Sequence, residues 1–464
     1  MFFLLFSLRP TEGMWGIVKA TVRDERLNNL FLEVVFPKQP VWTEQLIIRR
    51  TDMAYRDIDM NLSAETLAIQ KEVRKFAKDV MRPVGIELDQ MADPADVIAQ
   101  GSPLWDAYKG FRDLELHLNS IPPEYGGTAG TLDPMASYLI SEELGYGDVG
   151  LTVSFGASGM PFGFAALFAP FIPEMEQMVR DYVEDKKGEV VGCWAITEPE
   201  HGGDWSLGGE APECGPSVTG VLKGDEYIVN GEKAAWVSNG TLATHAVLHV
   251  GLDPDKGMGG TGLALIPLDL PGISKGAPLN KIGQRPLNQG SIIFEDARIP
   301  KQYMVLEPST MVDMNMGETI LAGANGGMAQ IFAGLAKAAY DEAFNYAQQR
   351  VQGGVPIIEH KNIKLDLFKM FTRVEAVRAN SRRMALYNAA QNALGQPPSG
   401  AHAVAAKCLA TETATWVASK AVQIFGGNGL TKEYPVEKIF RDARAGMIED
   451  GVNETLGLAA AEFL

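Results

Sequence analysis

Gln423-Ile424-Phe425-Gly426-Gly427-Asn428-Gly429 runs on through Glu433-Tyr434-Pro435-Val436-Glu437-Lys438-Ile439-Phe440-Arg441-Asp442-Ala443-Arg444 to Ile448-Glu449-Asp450-Gly451-Val452. The fold of this chain is decided here. A helix stops on Gly-Gly-Asn-Gly, a glycine-rich C-terminal stop whose loop backbone is open to a ligand. A short helix follows from Pro435 to Ala443. Beyond it, the adjacent carboxylates Glu449 and Asp450 stand against a glycine in an apolar setting. Like charges so placed shift one another's pKa values and mark a candidate site of chemistry.

Working outward, Met316 onward reads as helical: Ile320 to Gln349, Ile358 to Leu394 and Ala401 to Phe425 precede the short helix. Ala and Gly are dense in the first and third, which suits close packing in a bundle. At the other end, Ile69, Val73, Phe76 and Val80 share a helical face. Ser63 is placed to cap that helix and Pro83 to end it. Pro103 to Leu116, Pro134 to Gly145 and Thr152 to Phe168 continue a helical portion to about Gly188. From Glu189 the texture changes, with more Gly, Thr, Val and Ile and closely spaced turn signals. Tyr227-Ile228-Val229, Asn230-Gly231 and Glu232 to Val237 predict a hairpin with a type I′ turn. His245 to Gly251, Gly262 to Leu268 and Ser291 to Ile299 supply further strands. The expected fold class is α+β: an N-terminal helical domain over 61–188, a middle antiparallel β-barrel-like domain over 189–305 and a C-terminal four-helix bundle over 306–464.

A chain of 464 residues is long enough for two or three structural layers with a large core. Hydrophobic residues at 46% read as soluble and globular, and a net charge of −17 argues against a nucleic-acid partner. Cys193, Cys214 and Cys408 are scattered. They form neither a disulfide framework nor a metal-ligand cluster, so no metal and a reducing, cytoplasmic compartment are expected. No apolar run of the sequence reaches the length of a bilayer span, and no membrane span is expected. Met1 to Leu8 is apolar but short, with no basic residue before it and no small-residue cleavage site, unlike a secretory signal. Residues 1–60 are expected to be a poorly ordered or extended leader, and Met53 looks a better beginning.

Gly257-Met258-Gly259-Gly260-Thr261-Gly262 has dinucleotide-fingerprint spacing, but strands are expected on both sides, whereas the fingerprint opens a helix. Trp194-Ala195-Ile196-Thr197-Glu198-Pro199-Glu200-His201-Gly202-Gly203-Asp204 reads as a strand entering a Gly-rich turn. Thr197 and the turn offer donors to an anionic or carbonyl-rich ligand, and Trp194 offers a flat apolar surface. Read alone, the segment is better explained as a strand end with ordinary turn chemistry.

Taken in order, this segment, Trp236-Val237-Ser238-Asn239-Gly240, Gly283-Gln284-Arg285, Gln348-Gln349-Arg350-Val351-Gln352-Gly353-Gly354 and the C-terminal stretch resemble the acyl-CoA dehydrogenase family of flavoproteins, over roughly Leu62 to the C-terminus. The resemblance implies FAD as cofactor, with Trp194, Ile196, Thr197, Trp236 and Ser238 around its ring. It implies that Arg350, Gln423, Gly426 and Gly427 hold the adenosine-diphosphate part across a subunit interface, and hence an obligate dimer or tetramer. Arg suits that task because its planar fork binds phosphate oxygens in pairs. Some family positions differ. Gly203, beside the substrate's pantetheine chain, stands where Ser is frequent. Leu287 and Gln289 replace Ser and Thr, Gly353 replaces Phe, and Lys361 replaces Gln.

The implied reaction is α,β-dehydrogenation of an acyl-CoA thioester, with electrons passing to an electron-transfer flavoprotein. A carboxylate takes the α-proton, the β-hydrogen leaves as hydride to flavin N5, and the backbone N–H of the base residue helps hold the thioester oxygen. Counting from Arg441-Asp442-Ala443, the family's Glu base is replaced by Asp450, followed by Gly451 at the substrate. Glu449 is the competitor if the register slips by one. Asp is one methylene shorter, and an ångström-scale misplacement costs on the order of a hundredfold in rate. The alternative base of some relatives falls at Ala324, which cannot serve, and a family Arg is replaced by Asn325. An Asp base is similar to that of alicyclic acyl-CoA dehydrogenases acting on cyclohexane- or cyclohexene-carboxyl-CoA, some of which need a second acid. Asp148 is a candidate for that acid, although a helix cap before Thr152 to Phe168 is the better reading of it. Alternatives on the same fold are a nitroalkane oxidase-like flavin oxidase or monooxygenase, and a non-catalytic paralogue.

Overall fold

The computed structural model describes residues 58, 62–308 and 316–462, together with the strands Phe6–Ser7, Trp15–Asp24 and Leu27–Pro37. The chain divides into two units, Met1–Met53 and Ala54–Leu464. In the first, the three strands pair antiparallel in sequence order. The other residues of the leader expected over 1–60, Met53 included, lie outside the described residues, Ile58 excepted.

The second unit begins with helices. Ser63 caps Ala64–Phe76, its hydroxyl accepting from the Thr66 N–H at 3.0 Å. Pro83 does not end the helical run. A π-helical turn over Ala77–Met81 re-phases the chain, and helix resumes over Arg82–Gln90 with Pro83 in its first turn, where a missing N–H is tolerated. Asp133 caps Pro134–Gly147 and Asp148 caps Val149–Phe168. This last helix is, contrary to the expectation from sequence, long and apolar enough to cross a bilayer. Most of it is buried inside the protein, so its apolarity serves the core.

The middle of the chain forms an eight-stranded, mostly antiparallel sheet, with Gly192–Ala195 paired in parallel to His245–Gly251. The predicted hairpin turn at Asn230-Gly231 is not there. The turn falls at Gly224, which has a φ of 65° and joins Thr219–Lys223 to Glu226–Lys233. Asn230 and Gly231 lie within the second of these strands, opposite a register shift in Ile292–Pro300. There Asn230 accepts from the Asp296 N–H at 2.8 Å and donates to its carboxylate at 3.2 Å, filling the ladder positions that the bulge leaves open. The Gly257–Gly262 run leads from a 3-10 turn into the strand Thr261–Pro267, so no helix follows it.

Three long helices, Met316–Gln349, Lys361–Ala393 and Gly400–Phe425, form the C-terminal bundle, with Val436–Ala445 and Asn453–Ala461 packed on the last. Buried alanines on the first and third, such as Ala333, Ala336, Ala410 and Ala414, let the backbones approach closely.

Arg441 and Asp442 join the helical and β portions. Arg441 binds the carboxylate of Asp89 through both terminal nitrogens at 2.8 and 2.7 Å and donates to the Ile282 carbonyl at 2.8 Å. Asp442, almost fully buried, accepts from the Gln284 N–H and from Lys438. A helix end of the first portion, a loop of the sheet and the C-terminal helix are thereby locked together next to the Glu449-Asp450 loop.

Candidate active site

The helix Val436–Ala445 ends just before that loop. Asp450 and Gly451 are consecutive left-handed residues, with φ of 52° and 97°. Any Cβ at 451 would also stand 2.8 Å from the Leu456 side chain, so only glycine fits. A non-glycine residue in this conformation costs roughly 1–2 kcal/mol and must be held by its surroundings. Lys407, fully buried in the helix Gly400–Phe425, supplies one hold. Its ammonium donates to the Gly451 carbonyl at 2.6 Å and to the Asn453 side-chain oxygen at 2.8 Å. From the other side comes the turn that contains Gly203. A Cβ at Gly203 would lie 3.2 Å from the Thr455 hydroxyl and 3.4 Å from Val452, so the β portion packs directly on the loop. Sequence-predicted Gly203 is thereby set against Val452 and Thr455, which directly follow sequence-predicted Asp450 and Gly451.

Electrostatics set the two carboxyls of the loop apart from ordinary surface acids. Burial pushes Glu449 up to about 7, and the neighbouring Asp450 charge adds to the rise, against a hydrogen bond from the Gln284 side-chain amide and the charges of Lys281 and Lys407. Burial also raises Asp450, with Lys407 acting in opposition. A carboxylate whose pKa is brought toward neutrality is a stronger proton acceptor while still able to ionise. Lys281 is itself lowered to about 8 by burial. Its ammonium donates to the Leu287 carbonyl at 2.7 Å and to the Gln289 side chain at 2.9 Å. Gln289 in turn donates to the Trp236 carbonyl at 3.1 Å and the Ser238 hydroxyl at 3.4 Å. Lys281, whose charge acts on Glu449, is thus hydrogen-bonded through Gln289 to the Trp236–Ser238 segment.

On the sheet side, the Trp194 indole donates to His249 at 2.9 Å. Burial holds His249 down to about 3, so the imidazole is neutral and free to accept. Buried Lys233 donates to the Ile196 carbonyl at 3.1 Å and pairs with buried Glu198 at 2.6 Å. The Ala234 N–H bonds the Thr197 carbonyl at 2.8 Å. Trp194, Ile196 and Thr197 are half-buried on this braced strand end, while Trp236 is 59% exposed. An indole left that open beside a held hydroxyl offers a face to a flat ligand.

A second concavity lies on the helical bundle. Arg350, Gln423, Gly426 and Gly427 share it with Tyr346 and His360, and its volume is about 600 Å³. None of its lining residues belongs to the sheet or to the acid loop.

The description "Acyl-CoA dehydrogenase, N-terminal domain" matches residues 63–168, the middle domain matches 193–297, and the C-terminal domain matches 318–464. The chain belongs to the acyl-CoA dehydrogenase family. It is 28% identical to the mitochondrial short-chain specific acyl-CoA dehydrogenase of Rattus norvegicus, over 90% of this chain and 93% of that protein. Butyryl-CoA dehydrogenase from Megasphaera elsdenii has the same fold, at a TM-score of 0.74 and 25% identity over 88% of this chain and 99% of its own. A chain from work on the electron transferring flavoprotein of Acidaminococcus fermentans matches with a TM-score of 0.74 and 27% identity, over 88% and 99%.

This acyl-CoA dehydrogenase is an oxidoreductase acting on acyl-CoA, and FAD is its cofactor. The residues present fit that group. A Cβ at Gly426 or Gly427 would meet nothing within 4 Å, leaving room in the bundle pocket for a bulky ligand. Arg350 is the only Lys or Arg among the pocket's lining residues. The pocket sits at the C-terminal ends of two helices, Met316–Gln349 and Gly400–Phe425, whose dipoles disfavour an anion, so the guanidinium must carry the attraction for pyrophosphate.

Asp148 is engaged elsewhere. One carboxylate oxygen caps Val149–Phe168 through the Leu151 N–H at 2.9 Å, and the other takes the Lys438 ammonium. Both oxygens being occupied supports its role as a cap. Ala324 is half-buried and Asn325 fully buried. Three contributors were not singled out from sequence: Gln284 as the partner of Glu449, Lys281 and Lys407. Lys407 had a signal. It falls on the buried stripe Ala403, Ala406, Ala410, Ala414, where a lone cation needs an acid or carbonyl partner.

Proposed function

We propose that this acyl-CoA dehydrogenase removes the α-proton of its thioester with Asp450, with the substrate lying between that carboxylate and the Trp236–Ser238 edge. When bound, FAD supplies a hydride acceptor at N5. The single observation that carries the reading is the half-buried, upward-shifted carboxyl of Asp450, held in a left-handed turn just before Val452 and Thr455, which pack on Gly203. In that conformation the residue-450 N–H is available as one of the two donors to the thioester oxygen, the kind of contact that acidifies an α-proton. Ser238, held by Gln289, is the donor near N5, and Trp194, Ile196 and Thr197 bound the ring site.

The bundle pocket, through Arg350, Gln423, Gly426 and Gly427, binds the adenosine-diphosphate part of a neighbouring subunit's FAD. Its separateness from the ring-side residues supports this, as do the exposed apolar side chains of the bundle, Phe368 and Leu394 among them. The enzyme is then a dimer or tetramer whose sites are incomplete in one chain. Electrons pass on to an electron-transfer flavoprotein. Scattered, unpaired cysteines support a cytoplasmic location. The shorter Asp base supports an α-carbon seated closer to the loop, as a ring-bearing acyl group of the cyclohexane-carboxyl type would place it.

Anaerobic mixing of the flavoenzyme with straight, branched and alicyclic acyl-CoAs tests the reading. Bleaching of the flavin absorbance is expected, strongest with an alicyclic thioester. Rapid reoxidation by oxygen would point instead to an oxidase, and absence of bleaching with every thioester to a non-catalytic relative.

A further inference from the structure

We propose that Lys407 is a positioning residue for the Asp450 base: tied to the Gly451 carbonyl and to Asn453, its ammonium both fixes the left-handed loop and sets a positive charge beneath the loop's two carboxylates. The inference rests on the reading of Asp450 as the base. Its geometry is a closed, buried ring. Lys407 donates to Gly451 O at 2.6 Å and to Asn453 Oδ1 at 2.8 Å. Asn453 Nδ2 donates to the Thr411 hydroxyl at 3.1 Å, and that hydroxyl donates back to the Lys407 carbonyl at 3.0 Å. Asn453 and Lys407 are both buried. Placing an ammonium inside an alanine-lined helix face is costly unless opposing charges and carbonyls repay it, and every partner here lies on the loop that carries the acids, at the start of the helix that follows it, or on the same helix.

The charged surroundings are few. Lys407 faces Asp450, Glu449 and Glu454, with the thiol of Cys408 beside it. Asp450 has Lys407 as its opposing cation, while Glu449 also feels Lys281 from a loop of the β portion. Asp450 therefore depends on Lys407 for charge balance. Without it, Asp450 ionises less readily and its left-handed turn loses an anchor.

Lys407→Met keeps the length of the side chain and removes the charge; Lys407→Arg restores the charge, and Asn453→Asp neutralises it without altering shape. The rate of anaerobic flavin bleaching by an acyl-CoA is read against pH, alongside the thermal midpoint of each holoenzyme from about pH 5 to about pH 9. In Lys407→Met and Asn453→Asp the ascending limb of the rate profile is expected to move up by about one pH unit or more, roughly a tenfold loss near neutrality that recovers in alkali. Lys407→Arg should return the limb toward its original place. The melting deficit of Lys407→Met should also widen as pH rises, since an uncompensated carboxylate weakens the fold only when ionised. A uniform loss of rate with an unmoved limb and a pH-independent melting deficit would leave Lys407 a packing residue and overturn the proposal. Should Lys407→Met fail to fold, an unmoved limb in Asn453→Asp has the same force. If Asp450→Asn still bleaches, the base assignment fails, which is a different outcome from an unmoved limb with an inactive Asp450→Asn.

Discussion

Two pairs of neighbouring acids, one fully and one partly buried, behave oppositely in this enzyme. Glu142 and Glu143 lie in the helix Pro134–Gly147, and both are fully buried. Burial alone would raise Glu142. The charges of Arg378 and Lys337 and a two-point hydrogen bond from Arg378, at 2.8 and 3.0 Å, more than cancel it and hold the carboxyl far below the usual range. Glu143 takes Arg74 and accepts from Gln70 at 3.0 Å. Glu449 and Asp450 have the same dipeptide character but meet an amide, one buried lysine and a second lysine from a loop of the β portion, and both are pushed up. Neighbouring acids in a sequence do not by themselves make a reactive site. The number and type of cations brought from other elements decide between a structural lock and a proton acceptor.

The sharpest way to separate the pairs is to neutralise one member of each. Asp450→Asn should slow flavin bleaching by about two to four orders of magnitude while leaving FAD bound, as expected for removal of a general base. Glu142→Gln should instead leave the pH profile of bleaching in place and destabilise the fold by about 3 kcal/mol in urea denaturation, because three cations lose their shared buried acceptor. Equal kinetic losses from both substitutions would erase the distinction.

A smaller effect is expected at the bundle pocket. Arg350→Ala removes charge-assisted bonds worth about 1.5–3 kcal/mol, so FAD release measured by fluorescence should be favoured roughly tenfold to a hundredfold. Unchanged affinity would remove Arg350 from cofactor binding.

The smallest effect is in pH-dependent stability, and its sign differs between the pairs. Glu449 is raised from 4.5 to about 7, so it contributes stability below about pH 4.5 that is lost as pH rises through 7. Glu449→Gln should therefore melt higher than the parent at about pH 8 and no higher at about pH 4. Glu142 is lowered, so its contribution is present above 4.5 and lost as pH falls. Glu142→Gln should show its deficit at neutral pH and narrow it in acid. Parallel pH trends for the two variants would contradict the comparison.

Much of this was legible along the chain. The long helices of the bundle announced themselves through Ala-rich periodicity and the Gly426-Gly427 stop, and the strands after His245 through their apolar runs and turns. Errors arose where a local signal competed with a distant partner. Asn230-Gly231 has turn chemistry, but pairing with Asp296 draws it into a strand. Pro83 is a helix breaker that a π turn accommodates. At the site, motif order brought Trp194, Trp236, Arg350 and Asp450 forward, since each lies in a recognisable segment. Lys281, Gln284 and Lys407 act through contacts with residues 44 to 168 positions away, and no local pattern reveals which acid a buried cation will meet.

The central claim is that the carboxyl at 450, rather than its neighbour at 449, faces the substrate's α-carbon. A crystal structure of the FAD-loaded enzyme with a bound acyl-CoA measures this directly. The account predicts the Asp450 carboxyl within about 3.5 Å of the α-carbon, on the face opposite the flavin ring. An Asp450 side chain turned to bulk water, or a Glu449 carboxyl in its place, would contradict it.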